Sequence, residues 1–164
     1  GLYLSVFRRS MWEKNLFRID KNKMNNKLLF SNFENTFPHI MIFAYAFRKS
    51  KAFFNSEALT INLHGVREWS YLYPIVRSVR LATALDIYFK NGLSFFNYIK
   101  YKNNSLQYFL PDMIKLLLNL KNTRLYFVEI MTFYVKNFYY PNIYLSIIYQ
   151  LKRTLNKIIN EKKM

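Results

Sequence analysis

The sequence predicts an α+β fold, in which one domain spanning residues 1–164 is mainly helical and carries a small sheet. Three observations lead to this prediction. Prolines and a glycine stand at the ends of periodic apolar segments, which is typical of helices. Short runs rich in aromatic and β-branched residues are typical of strands. The chain has only 3 glycines and 4 prolines in 164 residues, so no flexible linker separates two domains.

Helices are predicted at about 74–90, 111–121 and 142–161. Pro74 suits a first helical position and Gly92 a C-terminal cap. The second helix starts at Pro111, and we expect it to turn three apolar side chains inward, namely Ile114, Leu117 and Leu118. The third carries an apolar stripe that consists of Ile143, Ile147, Leu151, Leu155 and Ile158.

Strands are predicted in the first two-thirds of the chain, where three segments have the composition of strands. These segments are residues 39–47, 59–63 and 93–101. Helix remains an alternative for each of them. Residues 125–140 are so rich in aromatic side chains that periodicity does not decide between a buried helix and strands.

The charge of the chain points to a polyanionic partner. Lys and Arg number 25 against 9 Asp and Glu, which gives a net charge of +16, while Phe, Tyr and Trp make up 20% of the residues. Excess positive charge weakens a compact monomer, whereas a phosphate backbone neutralises it and releases counterions. Aromatic side chains supply a core and also stacking faces for unpaired bases. These features together favour RNA binding.

Several classes of site are disfavoured by what the sequence lacks. Cysteine is absent, which removes disulfides, thiolate nucleophiles and cysteine-based zinc sites. Three glycines are too few for a phosphate-cradling loop. His64 stands four residues before Glu68 but has no third ligand nearby. We therefore predict no enzyme activity, no cofactor and no metal site.

Basic clusters interleaved with aromatic residues are the candidate RNA-binding sites. Arginine pairs bidentately with phosphate and stacks on bases, so we expect arginines to make the more ordered contacts. Arg77 and Arg80 stand three apart on one predicted helix and should point together toward the surface. The alternative is that one of them pairs internally with Glu68 or Asp86. The full candidate set is Arg8, Arg9, Arg48, Lys49, Lys51, Arg77, Arg80, Lys100, Lys102, Lys152 and Arg153.

The length of the uncharged stretches argues against a membrane-spanning segment. A bilayer-spanning helix needs about 20 consecutive apolar residues. The longest stretches without a charged residue, 35–47 and 137–151, are shorter than that. We therefore expect no transmembrane segment.

Over its whole length the composition, rich in Phe, Tyr, Ile, Asn and Lys and poor in Gly, Ala and Pro, resembles that of mitochondrion-encoded ribosomal proteins from A/T-rich organelle genomes such as those of ciliates. The resemblance implies a structural constituent of a mitochondrial ribosome, in the matrix. Its implied partners are rRNA and neighbouring ribosomal proteins, with no small-molecule substrate. The alternative is an accessory subunit of a mitochondrial inner-membrane complex.

Overall fold

The computed structural model describes residues 8–25, 27, 30–49, 70–118 and 126–161, without the side chains of 70, 157, 158, 160 and 161. These residues form an all-α structure, and no strand occurs among them. The α+β prediction with a small sheet is therefore wrong. Four α-helices precede the gap at 50–69: α1 (Arg9–Glu13), α2 (Lys21–Met24), α3 (Phe33–Thr36) and α4 (Pro38–Ala46).

A long helix, α5, follows residue 70 and changes its winding along its length. It consists of an α turn (Tyr73–Ile75), a π segment (Val76–Arg80) and a longer α-helical part (Leu81–Lys90). The remaining helices are α6 (Phe95–Ser105), α7 (Phe109–Leu118), α8 (Phe127–Asn137) and α9 (Pro141–Glu161). The predicted helices at 74–90 and 142–161 are confirmed. The one predicted at 111–121 corresponds to α7.

Two of the three predicted strands are helices, and the third, at 59–63, lies outside the described residues. Residues 39–47 fall in α4, where Pro38 occupies the first turn. Aromatic side chains four residues apart meet edge to face on this helix, with 5.7 Å between the ring centroids of His39 and Phe43 and 5.1 Å between those of Phe43 and Phe47. Such i, i+4 packing outweighs their intrinsic β propensity.

Most of the predicted strand at 93–101 is helical and belongs to α6. A sharp turn separates this helix from α5. Gly92 has φ +106°, the left-handed conformation that glycine adopts at helix ends. The Leu93 backbone N–H donates to the Tyr88 carbonyl at 3.0 Å, which closes this Schellman-type cap. Ser94 is extended and precedes the first turn of α6.

The hydrophobic core lies between α5, α6, α7, α8 and the start of α9. Phe109 is its centre: it is 1% exposed, and its ring stacks on those of Phe133 and Tyr134 at centroid distances of 5.6 and 6.1 Å. Residues 125–140, whose structure the sequence left open, supply α8 to this core. The buried cluster comprises Leu72, Ile75, Val79, Ala82, Leu106, Phe109, Met113, Leu116, Tyr126, Phe133, Tyr140 and Ile143.

The inward face of α7 differs from the predicted one. Ile114, Leu117 and Leu118 are 51%, 47% and 83% exposed, so the prediction that they face inward is wrong. The buried positions are 109, 112, 113 and 116, and they include Asp112, which is fully buried. A search for apolar spacing does not consider a carboxylate for the inner face of a helix. Because Asp112 is buried, the inner face of α7 is a different side of the helix from the predicted one.

The apolar stripe of α9 is mostly exposed. Ile143 is buried, whereas Ile147, Leu151 and Leu155 are 43%, 59% and 60% exposed, and the side chain of Ile158 lies outside the described set. Only the first turns of α9 therefore contribute to the core.

Candidate nucleic-acid interface

The π segment of α5 places Arg77 against α7. The Arg77 guanidinium binds Asp112 bidentately: Nε donates to Oδ2 at 2.9 Å, and the second N–H donates to Oδ1. The Ser78 hydroxyl also donates to Asp112. Burial acts to lower the pKa of Arg77, but the hydrogen bonds and the charge of Asp112 outweigh it and raise that pKa above its usual value. Arg77 therefore neutralises a buried carboxylate.

Arg80 is held between α8 and the segment before α3. Its guanidinium makes two hydrogen bonds to the Glu129 carboxylate and donates to the Phe30 carbonyl at 2.6 Å. Its side chain is 2% exposed, whereas that of Glu129 is 39% exposed. Arg80 is thus enclosed by the protein, and only its acidic partner reaches solvent.

The prediction that Arg77 and Arg80 point together toward the surface is wrong. On an α-helix, residues three apart lie on neighbouring turns of one face. The wider turn of a π segment turns Arg80 away from Arg77. The two side chains consequently reach different helices, α7 and α8. The alternative, an internal ion pair, describes both arginines: Arg77 pairs with Asp112 and Arg80 with Glu129. Glu68 lies outside the described residues.

Lys102 on α6 forms a third internal pair. Its ammonium, 1% exposed, lies 2.6 Å from Asp86 and 2.9 Å from the Ala82 carbonyl of α5. Burial lowers the pKa of Lys102, and Asp86 partly opposes this shift. The Tyr98 hydroxyl donates to the same carboxylate at 2.8 Å. This group joins α5 to α6.

The interaction of Tyr98 with Asp86 makes the stability of the fold depend on pH in the alkaline range. Burial, and next the hydrogen bond to Asp86, raise the pKa of Tyr98 from 10.0 to about 12. Its stabilising contribution is therefore complete below pH 10 and is lost as the pH rises toward 12. The lowered pKa of Lys102 acts in the opposite sense. The stability that it adds increases with pH and is complete at about pH 10.5, the pKa of this lysine in the unfolded chain. The free energy of unfolding should accordingly fall between about pH 10.5 and 12.

Urea unfolding of the wild type and of Tyr98→Phe across this range tests the expectation. The variant should start from a lower stability, because the hydrogen bond to Asp86 is missing, and should lose less of it with rising pH. Equal losses in the two proteins would contradict the assignment.

Ion pairing accounts for every acidic side chain that the structure describes, which leaves out Glu161. Besides the three internal pairs, Arg9 binds Glu13 at 2.6 Å, and Lys23 lies 3.8 Å from Asp20 and 3.5 Å from Glu34. Many basic side chains have no such partner among these residues. Those that are exposed are Arg8, Lys14, Lys21, Lys27, Arg48, Lys49, Lys90, Lys100, Lys115, Lys136, Lys152 and Arg153. The folded surface therefore carries an uncompensated positive charge.

Two tyrosine rings are each in contact with two arginines, one of them distant in the sequence. The Arg18 guanidinium carbon lies 3.2 Å and that of Arg48 4.8 Å from the Tyr45 ring centroid. We call this group the Tyr45 site. Phe17, 77% exposed, adjoins it, with Arg18 5.0 Å from its ring centroid. Arginine beside an aromatic face can hold phosphate and base together.

The second group, the Tyr108 site, brings together α5, α9 and the turn that precedes α7. Arg77 lies 4.1 Å and Arg153 4.5 Å from the Tyr108 ring centroid. Arg153 also donates to the Tyr108 hydroxyl. Because Asp112 neutralises Arg77, Arg153 supplies the net charge of this site.

The structure separates the predicted RNA-binding residues into three groups. Arg48 and Arg153 lie in the two tyrosine sites, together with the half-enclosed Arg77. Arg80 and Lys102 are buried in ion pairs, so a phosphate would have to break those pairs to reach them. The others that can be placed are exposed, namely Arg8, Arg9, Lys49, Lys100 and Lys152. Lys51 lies outside the described residues.

Sequence reasoning missed Arg18, Tyr45 and Tyr108. Tyr45 lies inside a segment predicted as a strand, whereas it belongs to α4 and Arg48 to the turn that follows, so their proximity could not be predicted. Tyr108 and Arg153 are 45 residues apart, and no local pattern connects them. The sequence feature that could have identified Arg18 is the preceding Phe17, since Arg48 in the candidate set also follows a phenylalanine.

Comparisons with protein-family models, curated proteins and solved structures give no match. Among the described residues there is no group of three or more His, Asp or Glu side chains that could hold a metal ion. His39 is packed between the Phe37 and Phe43 rings, while His64 and Glu68 lie outside the described set.

Proposed function

We propose that this chain is a non-enzymatic, structural constituent of a mitochondrial ribosome that binds rRNA. The observation that carries the proposal is the pairing of all described acidic side chains, which leaves the exposed lysines and arginines uncompensated. Such a surface gains free energy from phosphates through counterion release. The Tyr45 and Tyr108 sites add arginine and aromatic faces suited to single-stranded RNA. The composition of the chain supports the mitochondrial ribosome as the setting.

The first test is the identity of the native complex. Isolation of the particle that contains this chain, followed by sequencing of its RNA, should recover mitochondrial rRNA. A complex of membrane proteins without rRNA would overturn the proposal.

The second test measures the contacts directly. Arg18→Ala combined with Arg153→Ala removes one arginine from each tyrosine site and spares the buried ion pairs. If each arginine neutralises one phosphate of single-stranded RNA, the slope of log affinity against log salt should become shallower by about 1.4. Affinity at low salt should fall about tenfold or more. Filter binding to an rRNA fragment between about 50 and 200 mM salt gives both quantities.

The matched control removes the same charge elsewhere. Lys115→Ala combined with Lys136→Ala changes two exposed lysines outside the tyrosine sites, and its slope should stay close to that of the wild type. Equal effects of the two double variants would show that only net charge matters and would remove the tyrosine sites from the proposal.

A second candidate function is an accessory subunit of a mitochondrial inner-membrane complex. It is favoured by the exposed apolar side chains of α9, among them Ile148 at 59% and Leu155 at 60%. Within the described parts of the chain, no helix is both long and apolar enough to cross a bilayer. Retention in the membrane fraction after alkaline extraction would favour this candidate, and release together with rRNA would oppose it.

A further inference from the structure

An apolar groove lies between α7 and α8, outside both tyrosine sites. It encloses a volume of about 200 Å³. Met113, Leu116 and Leu117 line it from α7, and Phe127, Met131 and Tyr134 from α8. Leu117, Phe127 and Met131 are 47%, 45% and 43% exposed, so the groove is open to solvent. An open apolar groove of this kind is a candidate binding surface.

The groove continues into a row of exposed apolar side chains along α8. Val128, Met131, Val135 and Phe138 are 75%, 43%, 63% and 53% exposed. Their spacings of three, four and three residues are those of a coiled-coil seam. We call this row the α8 seam. Its spacing fits another helix that inserts side chains between these positions.

The charge beside the α8 seam is positive. Lys136 lies next to Val128, Met131 and Val135 on the same surface, is exposed, and has no acidic partner among the described residues. The described carboxylates of α7 and α8 are already engaged, since Asp112 binds Arg77 and Glu129 binds Arg80. The complementary surface is therefore an acidic one.

A second copy of this chain does not have that chemistry. Its described acidic side chains are all in ion pairs, and each copy carries a net charge of +16. Two copies joined through this face would bring together two strongly positive chains, and like charges across an interface are unfavourable. We propose that the groove and the α8 seam bind an amphipathic helix of another protein, one with an apolar face flanked by Asp or Glu. This proposal does not depend on RNA binding.

The test uses the full chain and a labelled helical peptide of about three heptads, with Leu at positions a and d and Glu at the flanking positions. One matched peptide carries Lys in place of Glu, and another has the acidic composition in scrambled order. By fluorescence anisotropy at about 150 mM salt, the acidic helix should bind about tenfold or more tightly than either control. Equal binding of the scrambled acidic peptide would overturn the proposal, because charge alone would then explain the binding.

Variants locate the surface. Met131→Glu places a carboxylate on the seam, and it should weaken binding of the acidic helix about tenfold or more. Val135→Glu should act in the same way and provides a second reading if the first variant folds poorly. Ile148→Glu alters a comparably exposed apolar residue on α9, and it should leave the affinity within about twofold. An equal loss in Ile148→Glu would exclude the groove as the site.

Two further outcomes would assign the surface to another occupant. A concentration-dependent dimer in sedimentation, abolished by Met131→Glu, would identify a second copy. Adsorption to vesicles of phosphatidylcholine and phosphatidylserine, abolished by Met131→Glu in a chain that does not bind the acidic peptide, would identify a lipid surface. Either result overturns the proposal. RNA binding by Met131→Glu should match the wild type, which separates this interface from the RNA proposal.

Discussion

Arg77→Met is expected to lower the free energy of unfolding by about 3–5 kcal/mol, the usual result of removing one member of a buried ion pair. The Asp112 carboxylate is fully buried, and Arg77 supplies both its charge partner and two of its hydrogen bonds. In the variant only the Ser78 hydroxyl remains as a donor from this group. Urea unfolding near neutral pH measures the change, which should appear as a lower midpoint with an unchanged slope.

Two controls accompany this prediction. Arg77→Met combined with Asp112→Asn removes the stranded charge and should recover much of the loss, since neutralising both partners is far less costly than removing one. Lys115→Met changes an exposed lysine on the same helix as Asp112 and should stay within about 0.5 kcal/mol of the wild type. A single Arg77→Met variant as stable as Lys115→Met would contradict the account. Because Arg77 supports the fold, a loss of RNA binding in its variants is not by itself proof of an RNA contact.

Phe109→Ala is expected to cost about 3–5 kcal/mol through the cavity it leaves. The ring is 1% exposed and stacks on two aromatic rings of α8. Its loss removes stacking contacts between α7 and α8 and also part of the lining of the apolar groove. The same urea measurement applies, and near-native stability of this variant would show that the core is not organised around Phe109.

Phe96→Ala is the matched control, because it deletes the same side chain where the ring is 85% exposed. Its effect should lie within about 0.5 kcal/mol. A comparable loss in both variants would mean that phenylalanine content, rather than packing at position 109, determines the stability.

The parts of the fold that could be predicted are those with local signals. Pro74 and Gly92 bound α5, and the chain does turn at Gly92 with a positive φ. At residues 39–47 every position is aromatic, aliphatic or small except His39, so helical and strand periods could not be told apart. There the helix depends on contacts between successive turns, which a propensity scale does not contain. The single-domain reading of residues 1–164 stays a prediction.

The candidate site was harder to predict than the helices, because its chemistry depends on partners far apart in the sequence. Arg77 and Asp112 are separated by 35 residues, and Arg80 and Glu129 by 49. Without those pairings, every arginine counts as surface charge. Sequence reasoning therefore predicted a positive surface, but its candidate set included Arg80 and Lys102, which the fold encloses.

The π segment of α5 has a consequence for how one helix can serve two neighbours. An i→i+5 turn contains one more residue than an α turn, so the parts of α5 before and after it need not share a single rotational phase. Within the segment, Arg77 near its start reaches α7 and Arg80 at its end reaches α8. The π segment thus allows one helix to form ion pairs with two neighbouring helices that lie in different directions around its axis. A straight α-helix would have to satisfy both neighbours with one setting.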